Sequence, residues 1–79
     1  MSKEKILDLI VKHVREVIPA LADHSFQPSD SLRALGANSV DRADIIVMTL
    51  ESLSLRIPLI EMARAENIGD LAGIIHAKS

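Results

Sequence analysis

The chain has no cysteine, tryptophan or tyrosine among its 79 residues, and Phe26 is its single aromatic side chain. Without thiols, disulfides, thiolate metal sites and a cysteine nucleophile are all excluded. Any thiol chemistry must use a thiol brought in from outside. Nine Lys and Arg stand against eleven Asp and Glu, for a formal net charge of −2. With neither a basic patch nor stacking platforms, nucleic acid is excluded as a partner. No apolar run approaches the ~20 residues that span a bilayer, and the opening residues Met1 to Lys5 are charged. Neither a membrane segment nor a signal peptide is expected, which makes the cytoplasm the expected location. His13, His24 and His76 lack the close spacing with each other or with acids that builds a metal site. They are read as surface or half-buried structural residues, and no metal is expected.

What remains is an apolar fraction of 48% supplied almost entirely by Ile, Leu, Val and Ala, a composition that favours a helical core over a sheet. The length allows one domain, residues 1–79, of a size that buries only about 60% of its unfolded surface. From Lys3 to Ile18 the residues Ile6, Leu7, Leu9, Ile10, Val11, Val14, Val17 and Ile18 fall at helical spacing, with Lys5, Asp8, Lys12, Arg15 and Glu16 opposite. Pro19 ends this first long helix, and Ala20 to Asp30 reads as a long ordered loop that Leu21 and Phe26 pin to the core. Asp30 to Gly36 reads as one helical turn, capped by Ser29 or Asp30 and closed by Gly36 in the left-handed region.

The next helix is expected from Ser39 to about Leu53, with Ile45, Leu50 and Leu53 facing the core and Val40, Ala43 and Val47 on another stripe. After the extended approach Leu55-Arg56-Ile57-Pro58, a short helix is expected from about Leu59 to Arg64. Asn67 is placed to cap a last helix with Ile68, Leu71, Ile74 and Ile75 inward. Gly69 and Gly73 each cost that helix about 1 kcal/mol of propensity relative to Ala.

Ser39 is the residue on which chemistry converges. A serine opening a helix is by itself usually an N-cap. Here it follows the Gly36-Ala37-Asn38 turn at the mouth of a long loop. A helix N-terminus at that point favours an attached phosphate by roughly 0.3 to 1 kcal/mol. Hydrolase chemistry is disfavoured, since there is no Gly-x-Ser-x-Gly elbow and Asp41, Arg42 and Asp44 offer no histidine base.

The run Leu35-Gly36-Ala37-Asn38-Ser39-Val40-Asp41, followed by an apolar-rich helix and Leu55-Arg56-Ile57-Pro58, resembles the Leu-Gly-x-Asp-Ser-Leu signature and downstream Ile-Pro of acyl and peptidyl carrier proteins. The resemblance covers essentially the whole chain. It implies an all-α fold, a four-helix bundle with a long first loop and a short third helix. It also implies a non-catalytic carrier in which Ser39 is esterified with 4'-phosphopantetheine from coenzyme A by a phosphopantetheinyl transferase. Two departures stand out. Asn38 replaces the family's usual Asp, removing a negative charge that commonly helps transferase recognition. The second helix sets Asp41, Asp44 and Glu51 against Arg42, milder than the strongly acidic helix of fatty acid synthase carriers.

A narrower resemblance lies in Asn38-Ser39-Val40-Asp41-Arg42-Ala43-Asp44-Ile45, Glu51 to Leu59, and Asn67-Ile68-Gly69-Asp70-Leu71, which are similar to the discrete donor carriers of polyketide β-branching cassettes. That likeness implies delivery of an acyl group, acetyl by expectation, to a 3-hydroxy-3-methylglutaryl synthase homologue. An acyltransferase or decarboxylating ketosynthase is a further implied partner, and a monomer the implied state. The contact surface expected around Ser39 comprises Asn38, Val40, Arg42, Ala43 and Val47, with Met62 and Arg64 from the short helix. Core burial of Val40 and Val47 and a merely solvated Arg42 are the competing readings. Two alternatives stay open for the whole protein. One is a carrier of another fatty acid, polyketide or nonribosomal peptide pathway. The other is a helical interaction module without prosthetic group, in which Ser39 is a plain N-cap.

Overall fold

The periodicity of the first segment becomes helix α1, Lys3–Val17, in a computed structural model that describes residues 2–79. Ile6, Ile10 and Val14, spaced four apart, are all fully buried, and each contributes about 1.5–3 kcal/mol relative to exposure. Ser2 caps the start by accepting from the Lys5 amide at 3.2 Å. The residue before a proline is driven out of the helical region, and Ile18, at φ −125° and ψ 84°, ends the helix there. Pro19–Leu21 then makes a 3₁₀ turn within the segment expected to be loop.

The loop that follows is held at several points. Phe26 packs with Leu21 against the core, with the Arg15 guanidinium 5.4 Å from its ring centroid and the His24 ring edge-on at 4.7 Å. Asp30 accepts from the Gln27 amide at 2.8 Å and pairs with His24 Nε2 at 3.0 Å. These contacts, the amide first, hold its carboxyl below the ordinary carboxylate range. The backbone then ties the loop to the last helix, as the Ile68 and Gly69 amides donate to the Asp30 and Pro28 carbonyls at 2.9 and 2.8 Å.

The turn before the central helix forms as expected but with a different cap. Ser31, not Ser29 or Asp30, accepts from the Ala34 amide at 3.3 Å, because Asp30 is already engaged with Gln27 and His24. Gly36, at φ +100°, closes the turn. Its amide donates to Arg33 and that of Ala37 to Leu32, the paired bonds of a left-handed helix end.

Three further helices follow: α2, Ser39–Ser52; α3, Leu59–Met62; and α4, Ile68–Lys78. The described residues contain no strand. α2 ends through Ser54, a serine at φ 56°, with the Ser54 and Leu55 amides donating to Glu51 and Leu50. α3 stops two residues short of the expected Arg64. α4 starts on Asn67, whose Oδ1 accepts from the Asp70 amide at 2.7 Å, and buries Ile68, Leu71, Ala72 and Ile75, with Ile74 only partly covered.

α1 packs against both α2 and α4, and α3 leans on α2 and α4. Two polar residues enter this core. Thr49 is fully buried because its hydroxyl donates to the Ile45 carbonyl at 2.7 Å. His13, expected at or near the surface, is buried with Nε2 3.0 Å from Ser52 Oγ. It follows Ile6, Ile10 and Val14 onto the apolar face, where α2 covers it. Its Nδ1 lies 3.3 Å from Glu16 Oε1 without a formed hydrogen bond.

Candidate functional site

Asn38 and Asp41 fix the start of α2 reciprocally. Asn38 Oδ1 accepts from the Asp41 amide at 2.8 Å, and Asp41 Oδ2 accepts from the Asn38 amide at 3.3 Å. Asn38 is therefore the N-cap, and Ser39 is the first residue of the helix proper. This overturns the reading of Ser39 as a plain cap. The capping task belongs to its neighbour, and Ser39 stands exposed beside it. Asn and Asp cap helices about equally well, so Asn38 in place of Asp changes the charge at this point and not the geometry.

The preceding turn is fastened from the helix side. Arg42 Nη1 donates to the Ala37 carbonyl at 3.0 Å, and the Arg42 amide donates to the Asn38 carbonyl at 3.0 Å. Ala37 is buried beneath. Arg42 is thus half-buried and structurally engaged, which replaces its reading as a free solvated charge. The helix N-terminus and this guanidinium favour an anion near Ser39, while Asp41 opposes it in part.

An open cleft of about 610 Å³ begins at Ser39. Arg42, Ala43 and Ile46 of α2 form one wall, and Leu59 and Met62 of α3 contribute to the other. A shallower hollow of about 410 Å³ adjoins it, lined by Val47, Leu50, Pro58 and Leu59 among others.

The expected contact residues are distributed unequally around this cleft. Asn38, Val40, Val47 and Arg64 are exposed, and Arg42 and Ala43 are half-buried. Val40, at 67% exposure, is no core residue, and neither is Val47. Met62 is 3% exposed and belongs to the core, so its place is the floor of the cleft and not the outer surface. Sequence reasoning missed Leu59 and Ile60, which are 46% and 79% exposed. α3 has only four residues, too few for a periodicity that would separate an inner from an outer face.

Residues 8–75 match the family model described as "Phosphopantetheine attachment site". The chain is 49% identical over 78 residues to the polyketide biosynthesis acyl-carrier-protein AcpK of Bacillus subtilis (strain 168), covering 99% of this chain and 95% of that one. Among solved structures it matches a chain of the complex described as the curacin biosynthetic pathway HMG synthase with acetyl donor-ACP. The TM-score is 0.94 and the identity 54%, over 99% of this chain and 100% of the other.

Proposed function

The chain belongs to the phosphopantetheine-attachment-site family of acyl carrier proteins, and from that premise we propose that Ser39 is its attachment residue and that it donates acetyl to a 3-hydroxy-3-methylglutaryl synthase homologue in polyketide β-branching. As an acyl carrier protein it is a non-catalytic carrier whose cofactor is 4'-phosphopantetheine. The residues around Ser39 fit that group. The serine is exposed at the first position of a 14-residue helix, its neighbour supplies the cap, and an open cleft starts beside it.

When bound, the group supplies a terminal thiol that carries an acyl chain as a thioester. The chain's own residues have a different task. Ser39 provides the ester oxygen. Asn38 and Asp41 keep that oxygen at a fixed helix start, and Arg42 locks the turn before it. The amides of the first turn and the Arg42 cation offset the phosphodiester charge. Nothing in this arrangement requires the protein to make or break a bond in the cargo.

The single observation that carries the donor assignment is the match, across the full length of both chains, to an acetyl donor carrier in complex with an HMG synthase. The mild acidity of α2 agrees with it. In this reading the described residues form one carrier domain that acts as a monomer in the cytoplasm. A phosphopantetheinyl transferase modifies it, and an acyltransferase or decarboxylating ketosynthase loads it. The test is a transfer assay. Acetyl-loaded protein, mixed with a β-branching synthase homologue and a β-ketoacyl carrier, should lose its acetyl group to the synthase. A synthase that accepts another acetyl carrier under the same conditions and ignores this one would refute the donor role.

A further inference from the structure

Four large apolar side chains are left uncovered in this small domain: Val40, Val47, Leu59 and Ile60, with Ile60 at 79% exposure the extreme. All four lie on α2 and α3, the helices flanking the cleft at Ser39. They form a connected ridge. Val40 follows Ser39 in the chain, Leu59 lines both the cleft and the adjoining hollow, Val47 shares that hollow, and Ile60 extends the ridge from Leu59. Among the described residues α1 and α4 expose no comparable side chain. Apolar surface gathered on one side of a domain marks a contact surface, and a protruding aliphatic group at its edge is suited to anchor it.

The charges around the ridge indicate what it meets. Arg33 and Arg42 line the cleft, Arg56 lines the hollow, and Arg64 follows α3. The ion pairs of the described residues use His13, His24 and Lys78, and none of these four arginines. Arg33, Arg56 and Arg64 are exposed, with guanidinium groups suited to bidentate carboxylate contacts. An anionic bilayer is a poorer match, because Glu51 and Glu66 share the same hollows and the chain is net negative.

We propose that this ridge, with Ile60 as anchor and Arg33, Arg56 and Arg64 around it, docks on a protein surface that presents an apolar socket rimmed by carboxylates. The partner is the enzyme that takes the acyl group from this carrier, since the ridge begins beside Ser39, and to that extent the proposal rests on the carrier function above. Apolar insertion supplies the affinity. The arginines set orientation and association rate.

The test compares wild type, Ile60→Ser, the triple variant Arg33→Glu/Arg56→Glu/Arg64→Glu, and Lys12→Glu on the exposed side of α1 as control. Each is modified to completion and acetylated, with intact mass checked before transfer to the synthase homologue is measured. Ile60→Ser and the triple variant should each lose about tenfold or more in kcat/KM, chiefly through KM. Lys12→Glu should transfer normally, and added salt should slow the wild type. Circular dichroism should find the fold of each variant intact. Wild-type kinetics in both ridge variants, or transfer that accelerates with salt, would overturn the proposal. So would cosedimentation of the wild type with phosphatidylglycerol vesicles that Ile60→Ser abolishes. Failure of the wild type to accept phosphopantetheine would count against the carrier function instead, and the mass check separates the two.

Discussion

Gly69→Ala and Gly73→Ala are expected to move stability in opposite directions, although both glycines lie in α4 and helix propensity favours alanine at each by up to about 1 kcal/mol. A Cβ on Gly69 would lie 2.9 Å from the Pro28 carbonyl oxygen and 3.1 Å from Pro28 Cβ. The obstructing oxygen is backbone, already bonded to the Gly69 amide at 2.8 Å, and its loop is tied again at Asp30 by Ile68. Relief therefore requires the loop to move off α4. Such overpacking costs about 1–3 kcal/mol, and stretching the Gly69–Pro28 hydrogen bond removes part of a further ~1 kcal/mol. These costs exceed the propensity gain, leaving a net loss of about 1–2 kcal/mol. At Gly73 the nearest atoms are Lys3 Cε and Nζ at 3.7 Å, an ordinary contact with a flexible chain. There the propensity gain survives. For a domain of this size 1 kcal/mol corresponds to roughly 4–8 °C in Tm, so thermal and urea unfolding of the unmodified protein will resolve both signs. Gly69→Ala with a Tm at or above wild type would refute the claim that loop and helix are in hard contact.

Three further outcomes follow from local geometry. Ser54 is the one non-glycine residue at positive φ among those described, a conformation that costs an L-residue about 1 kcal/mol. Ser54→Gly should therefore raise the urea midpoint by the equivalent of about 0.5–1 kcal/mol, and a lowered midpoint would contradict this. Asn38→Ala should cost about 1 kcal/mol of stability while Asn38→Asp costs little, because only the first removes the cap. Equal losses in the two variants would show that charge, not capping, matters there. Asp30 is held below the ordinary carboxylate range by the Gln27 amide and by His24. Its contribution is therefore present above the unfolded value of 3.8 and disappears as pH falls through the lower folded value. Denaturation measured from neutral pH into acid should show a shallower acid limb in Asp30→Asn than in wild type.

Much of this was legible in the sequence where a signal repeats. α1 could be read from eight apolar positions at one period, and the Asn67 cap and Gly36 turn from residue types with few other uses. The sequence also marked Ser39, through the turn before it and the helix after it. What it concealed depended on competition between neighbours. Asn38, Ser39, Ser29, Asp30 and Ser31 can all cap, and only the three-dimensional bonding of Asp30 to His24 and Gln27 assigns the caps to Asn38 and Ser31. Met62 and Ile60 sit two residues apart on a single helical turn, so burial of one and exposure of the other had no periodic signature. The burial of His13 and Thr49 rests on specific partners, Ser52 and the Ile45 carbonyl, that composition does not reveal. The likeness to donor carriers, by contrast, was carried by contiguous stretches, and the comparison across the full chain agrees with it.

The most direct test of the account is the intact mass of the protein after incubation with coenzyme A and a promiscuous phosphopantetheinyl transferase. The account predicts one phosphopantetheine added to the wild type, located on the peptide containing Ser39, and none added to a folded Ser39→Ala variant. An adduct that persists in Ser39→Ala, or no adduct on the wild type with several transferases, would contradict it.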